Sequence, residues 1–174
     1  MTDEVSLLKD EVSLLKRALH RIEAERAIER LIHSYGHVLD FDTADAYADL
    51  FAPDGAIEIQ SDFANNFGQD LPAAYVEQGL ANGGQRTERG IVFRGRDALK
   101  IFVAKSEAFR RFSHVVSQPL VTITGPEEAE ALSYMRVYFQ DVAGQAQLQG
   151  FGRYTDRFVR IGEAWRIQHR ICEI

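Results

Sequence analysis

Apolar side chains recur at Val5, Leu8, Val12, Leu15, Leu19 and Ile22, the a and d positions of a heptad, and this spacing predicts a helix from about residue 3. The unit DEVSLLK occurs twice in tandem, at Asp3–Lys9 and Asp10–Lys16, and Leu7 and Leu14 add a second apolar stripe. The periodicity continues through Ile28, Leu31, Ile32, Tyr35 and Leu39, so the helix is expected to run on into the body of the protein. Three heptads are short for an independent coiled coil. The stripe must therefore pack either on the protein's own body or on a neighbouring subunit, and its width favours the neighbour. Residues 1–21 read as a heptad extension and residues 22–174 as one domain.

The pattern then shortens. Asp42 or Thr43 can cap a second short helix, with Asp45 in its first turn and Ala46, Tyr47, Leu50 and Phe51 on its buried face. The segment APDG at 52–55 reads as a turn, and Ala56–Ile59 alternates like a strand. Residues 61–90 are polar and glycine-dotted, with a short helix expected around Pro72–Leu80; so long a loop points to a functional segment or lid. Gly90–Phe93 reads as a strand and Arg96–Phe109 as a helix with Leu99, Phe102 and Val103 inward. Four β-rich runs follow, His114–Thr124, Ala129–Asp141, Ala146–Phe158 and Ala164–Cys172, separated by the turn sequences GPEE, VAG and RIGE. Helices followed by an antiparallel meander predict an α+β fold in which helices close the open side of a curved sheet around a cavity.

Composition narrows the function classes. The chain has 174 residues, 45% of them hydrophobic, which suits a single globular domain plus an extension. Its 26 acidic against 20 basic residues argue against a nucleic-acid binder. No apolar run is long enough to span a bilayer, and the charged start MTDEVSLLKDEV has no signal-peptide core, so a cytoplasmic location is expected. Cys172 is the sole cysteine and reads as a small packed hydrophobe. No phosphate-binding loop or dinucleotide fingerprint is present, and no cofactor is expected.

Candidate chemistry concentrates where the first helix ends. In SYGHVLDFDTADAYADLFAPDG, Asp40, Asp42 and Asp45 follow one another, and Leu39 and Phe41 are expected to pack beside Asp40. Asp40 reads either as a general base in an apolar pocket, where burial raises a carboxyl pKa, or as a solvated helix end. Asp42 and Asp45 are explained by capping. His114 shares a strand face with Phe112 and Val116; it is a core histidine unless Asp40 meets it, in which case the pair would fix one imidazole tautomer. His33 and His37 have helical metal-ligand spacing but no third ligand, and they read as surface residues, so no metal site is expected. Tyr35 lies inward and can either donate a hydrogen bond to a substrate oxygen or simply pack. Alternation from Trp165 puts Ile167 and His169 on one face of the last strand and Arg166, Gln168 and Arg170 on the other. Which face is inward stays open.

The segments AIERLIHSYGHVLDFDTADAYADLFAPDG, FRGRDALKIF, FSHVVSQPLVTITG and GFGRYTDRFVRIGEAWRIQHR together resemble the SnoaL-like branch of the NTF2-like superfamily, across roughly residues 22 to 173. That group includes scytalone dehydratase, bile-acid 7α-dehydratase, hexachlorocyclohexane dehydrochlorinase and polyketide cyclases. The resemblance implies an NTF2-like cone, a curved antiparallel or mixed sheet closed by about three N-terminal helices. It implies a catalytic Asp40–His114 pair, with Tyr35 and Arg170 matching further site positions. Tyr47, Phe51, Val116, Gln118 and Tyr154 are the expected substrate-binding wall. Gln118 stands where dehydrochlorinase-like sequences often have Asn, Tyr35 replaces a lysine of that site, and Tyr154 or a neighbour replaces an asparagine of scytalone dehydratase. The 61–90 insertion matches none of them well. The implied function is a cofactor-independent dehydratase, isomerase or cyclase acting on an apolar polycyclic or aromatic small molecule. The alternatives are a non-catalytic binding module on the same scaffold and an epoxide-hydrolase-like use of the cone. The last needs an arginine between two carboxylates, for which only Asp141 and Asp156 are at hand, neither clearly inward. A homo-oligomer, dimer or trimer, is expected, with the heptad helix contributing.

Overall fold

The computed structural model describes residues 2–60, 71, 73–104, 112–141 and 143–174. Helix α1 runs unbroken over Thr2–Phe41, uniting the heptads with the helix of the domain. Its second half packs on the body through Ile28, Ile32 and Tyr35, all buried. Its first half does not: Val5, Leu7, Leu8, Val12, Leu14, Leu15, Leu19 and Ile22 are 48–68% exposed. Among the described residues, nothing of the protein's own body covers the heptad stripe.

Helix α2 (Ala44–Asp49) begins at Thr43, whose hydroxyl accepts from the Ala46 N–H at 3.1 Å, while Asp42 accepts from the Thr43 N–H at 2.8 Å. Asp45 in its first turn pairs with Lys100 and Arg96 of helix α4 (Arg96–Ala104), which lashes the two helices together. Helix α3 (Ala73–Ala81) is the one expected inside the polar segment. Residues 61–70 of that segment, Pro72, and the last turn expected for α4 at 105–109 lie outside the described residues.

The strands are β1 (Phe51–Gln60), β2 (Gln85–Arg86), β3 (Gly90–Arg94), β4 (Phe112–Ile123), β5 (Glu128–Gln140), β6 (Ala146–Ile161) and β7 (Ala164–Glu173). They form one sheet in the order β2-β3-β1-β7-β6-β5-β4, antiparallel except where β1 runs parallel to β7. The sheet is mixed, curved and unclosed, and α1 lies along β4. The expected α+β architecture is the one observed. APDG does not end a strand, however. Phe51 pairs with Ile167 and Ala56 with His169, so the segment between them bulges out of β1 and leaves Pro53 and Asp54 exposed.

A second bulge decides the identity of the core. On β7, Ile167 faces Phe158, yet His169 faces Arg157, so Gln168 is an extra residue. The bulge inverts the alternation, and Arg170 falls on the same face as Trp165 and Ile167 instead of opposite them. That face also carries Tyr154, Asp156 and Phe158 of β6 and Ala129, Ala131 and Met135 of β5, and it meets the helices in one core.

Candidate active site

Gly36 sets the distance between α1 and β4. A methyl group there would lie 2.1 Å from the backbone oxygen of His114, so only glycine lets the helix come this close. One helical turn later Asp40 arrives directly over His114. Its Oδ2 accepts from the His114 backbone N–H at 2.7 Å, and its Oδ1 lies 2.5 Å from the ring Nδ1. The two side chains are 2% and 9% exposed. A carboxylate oxygen at Nδ1 accepts the hydrogen that this nitrogen carries, which fixes one tautomer of the neutral imidazole. Both oxygens of Asp40 are held, so the carboxylate cannot rotate away from the ring. Phe41, expected to pack beside Asp40, instead points outward and is 78% exposed.

The other site candidates gather in a second group. Arg170 is fully buried and binds Asp156 through two hydrogen bonds, Nε to Oδ1 at 2.7 Å and Nη2 to Oδ2 at 2.6 Å. Asp156 is directly opposite on β6 and is inward. The guanidinium is sandwiched between the rings of Tyr35 and Tyr154, 4.0 and 4.1 Å from their centroids. Its Nη1 is buried and has no hydrogen-bond partner among the described residues. The Tyr35 hydroxyl shares a 2.9 Å hydrogen bond with that of Tyr47, and the Tyr47 ring packs at a tilt of 50° against Phe51.

Burial pushes the Tyr35 phenol up to about 12, against the pull of Arg170, and lifts Tyr47 and Tyr154 well above their ordinary value. All three are therefore protonated at neutral pH. Burial works against the charge on Arg170, but Asp156 outweighs it and the guanidinium is held above its usual value. Burial likewise raises the Cys172 thiol to about 12, as expected of a packed hydrophobe. Val116 packs partly buried beside the core, whereas Gln118 is exposed at a bulge in β4 with φ of 54° and is not drawn into either group. His33 and His37 are exposed, and among the described residues no cluster of three or more His, Cys, Asp or Glu side chains is placed to hold a metal. No helix among them is long and apolar enough to cross a membrane.

The sequence model of the SnoaL-like domain matches residues 20–171. The chain belongs to the SnoaL-like family. No curated protein matches the sequence. Among solved structures, this SnoaL-like chain is similar to an NTF2-like protein with a cystatin-like fold from Novosphingobium aromaticivorans, at 19% identity, 92% and 87% coverage of the two chains, and TM-score 0.68. It is similar to a protein from the same organism provisionally assigned as a scytalone dehydratase, at 22% identity, 89% and 86% coverage, and TM-score 0.56. A third, from that organism too, is provisionally assigned as the β subunit of an aromatic-ring-hydroxylating dioxygenase, at 19% identity, 88% and 90% coverage, and TM-score 0.64. At these identities the likeness is one of fold.

Two features of the molecule carry no signal in the sequence. Gly36 looks like an ordinary helix-breaking glycine until β4 is seen against it. Glu58 and His169 meet on the sheet face opposite Arg170, with His169 Nε2 3.3 Å from Glu58 and Nδ1 3.3 Å from Arg157. The bulge that turns Arg170 inward is what turns His169 outward. Burial is the largest influence on His169 and disfavours its charged form; Glu58 opposes it, Arg157 and Arg94 reinforce it, and the net shift is downward. A histidine lowered on folding binds its proton more readily when unfolded. Its contribution to stability is present above the unfolded value of about 6.5 and is lost as pH falls through the folded value. His169→Gln should flatten the fall of melting temperature with pH below about 6.5, as read by calorimetry across a pH series.

Proposed function

We propose that the protein is a cofactor-independent lyase, a dehydratase acting on an apolar polycyclic or aromatic small molecule. The observation that supports this reading is the Asp40–His114 pair, in which one carboxylate oxygen meets the ring Nδ1 and the other accepts from the backbone N–H of the same residue. His114 Nε2 takes a proton from a carbon beside an activating carbonyl. Asp40 stabilises the imidazolium that forms. The hydroxyl on the next carbon leaves as water, taking a proton from the Tyr35 phenol, and a carbon–carbon double bond remains. Burial keeps that phenol protonated until it is needed. The Arg170 guanidinium, stacked on the ring face, favours the negative charge that Tyr35 develops as it gives up its proton. Tyr47, Phe51 and Tyr154 in the core, with Val116 packed against it, would form the apolar and aromatic wall that a ring system requires.

The test is a screen of β-hydroxy carbonyl substrates on polycyclic and aromatic frames, followed by absorbance of the conjugated product, in wild type, His114→Ala and Asp40→Asn. A positioned base contributes about 100- to 10,000-fold in rate, and His114→Ala should lose a factor of that order. Unchanged turnover in His114→Ala would overturn the mechanism.

One observation favours a second reading. Asp40 accepts from the His114 backbone N–H as well as facing the ring, which also makes the pair a clasp between α1 and β4. In a binding module that clasp would be its whole role. His114→Ala would then lower stability while leaving ligand affinity intact and no turnover to lose.

A further inference from the structure

We infer that the projecting half of α1 is a parallel, two-stranded coiled coil with a second copy of this chain. The apolar seam Val5, Leu8, Val12, Leu15, Leu19 and Ile22 is exposed along its whole length. At 3.6 residues per turn it lies roughly opposite, around the helix axis, to the stripe of Ile28, Leu31, Ile32, Tyr35 and Leu39 that faces the body. The seam therefore points away from the protein's own core and is open to another chain. It also has a defined end, because Arg26 and Glu29 occupy the next a and d positions.

The charges beside the seam choose the partner and its direction. Glu4 and Glu11 are at g, and Lys9 and Lys16 are at e; all four are exposed. In a parallel dimer each g residue faces the e residue of the following heptad on the other helix. Both flanks then pair Glu4 with Lys9 and Glu11 with Lys16 of the second copy. In an antiparallel dimer g faces g and e faces e, which sets Glu against Glu and Lys against Lys. One chain thus carries both halves of a match that works only with itself, in register, in the parallel sense. Val at a with Leu at d in the first two heptads favours two strands. Leu19 and Ile22 reverse that order only where the body begins. Leu7 and Leu14 flank the g positions and widen the contact.

The inference does not depend on the catalytic reading and is tested by mass. The 174-residue chain in analytical ultracentrifugation should sediment as a dimer at micromolar concentration. Glu4→Lys with Glu11→Lys places lysine on both flanks and should shift the chain towards monomer by at least roughly tenfold in dissociation constant. Adding Lys9→Glu and Lys16→Glu to that variant exchanges the flanks and should restore the dimer. Val12→Cys puts two thiols at one a layer, and oxidation should link the two copies covalently; Cys172 is buried and does not compete. A monomeric wild type, a trimer or tetramer, or a dimer indifferent to the charge reversals would overturn the proposal. So would a Val12→Cys variant that stays unlinked on oxidation.

Discussion

Asp156→Ala should be among the most destabilising single substitutions in the protein, at about 3–5 kcal/mol, because it leaves the Arg170 guanidinium buried without a counter-charge. Arg170 has no exposed surface, both its hydrogen-bonded nitrogens end on Asp156, and its other close neighbours are the neutral rings of Tyr35 and Tyr154. For a chain of this size such a loss corresponds to a melting temperature lower by on the order of 10 °C, measured by scanning calorimetry. The control is the double variant Asp156→Leu with Arg170→Met, which removes both charges and fills the space with apolar side chains. It should cost less than Asp156→Ala alone, since an apolar replacement of a buried pair is often neutral. If the double variant is the worse of the two, the ion pair is a net contributor to stability and the lone buried charge is not what makes Asp156→Ala costly.

Gly36→Ala sets two effects against each other. Alanine is the better helix former by about 1 kcal/mol. Its methyl group, however, would lie 2.1 Å from the His114 carbonyl oxygen, a backbone atom that no rotamer change can move aside. The helix must shift, and overpacking of this kind costs about 1–3 kcal/mol, so the clash wins. The shift falls one turn before Asp40 and should open the contact with His114, so the variant should lose both stability and any turnover the dyad supports. Gly150→Ala is the matched control, because a methyl group there meets nothing within 4 Å. Equal melting temperatures for the two variants would mean that the clash costs no more than the helix-forming gain offsets.

Much of the architecture was legible because it rests on periodicity. The heptads, the body stripe of α1, the capping Thr43 and the four-strand meander are each written as a local repeat or a local cap, and each stands where that pattern puts it. The same holds for Asp40 at the end of a helix and His114 near the start of a strand. Their contact was not legible, because it depends on Gly36 and on which strand α1 lies against. Arg170 shows the limit most clearly. Strand alternation placed it opposite Ile167, and a single extra residue, Gln168, reverses the phase. Nothing in the run WRIQHR marks that bulge; it exists because β6 and β1 each fix their own register with β7. The APDG segment is a parallel case, a turn by composition that the sheet absorbs as a bulge within β1. Phe41 failed for the opposite reason: apolar character alone does not tell which way a residue points at a helix end.

The tandem DEVSLLK unit has a consequence for how this protein can change its reach. A repeat of seven residues spans about 10 Å of helix and returns the chain to nearly the same rotational phase. Gain or loss of one whole unit would lengthen or shorten the arm while every residue from Ile28 to Asp40 keeps its bearing on the body. A change of one or two residues would swing the arm around its axis by roughly 100° or 200° relative to that body. Duplication in units of seven is therefore the natural mode of growth for such an arm, and the doubled sequence within it has the form that growth would leave.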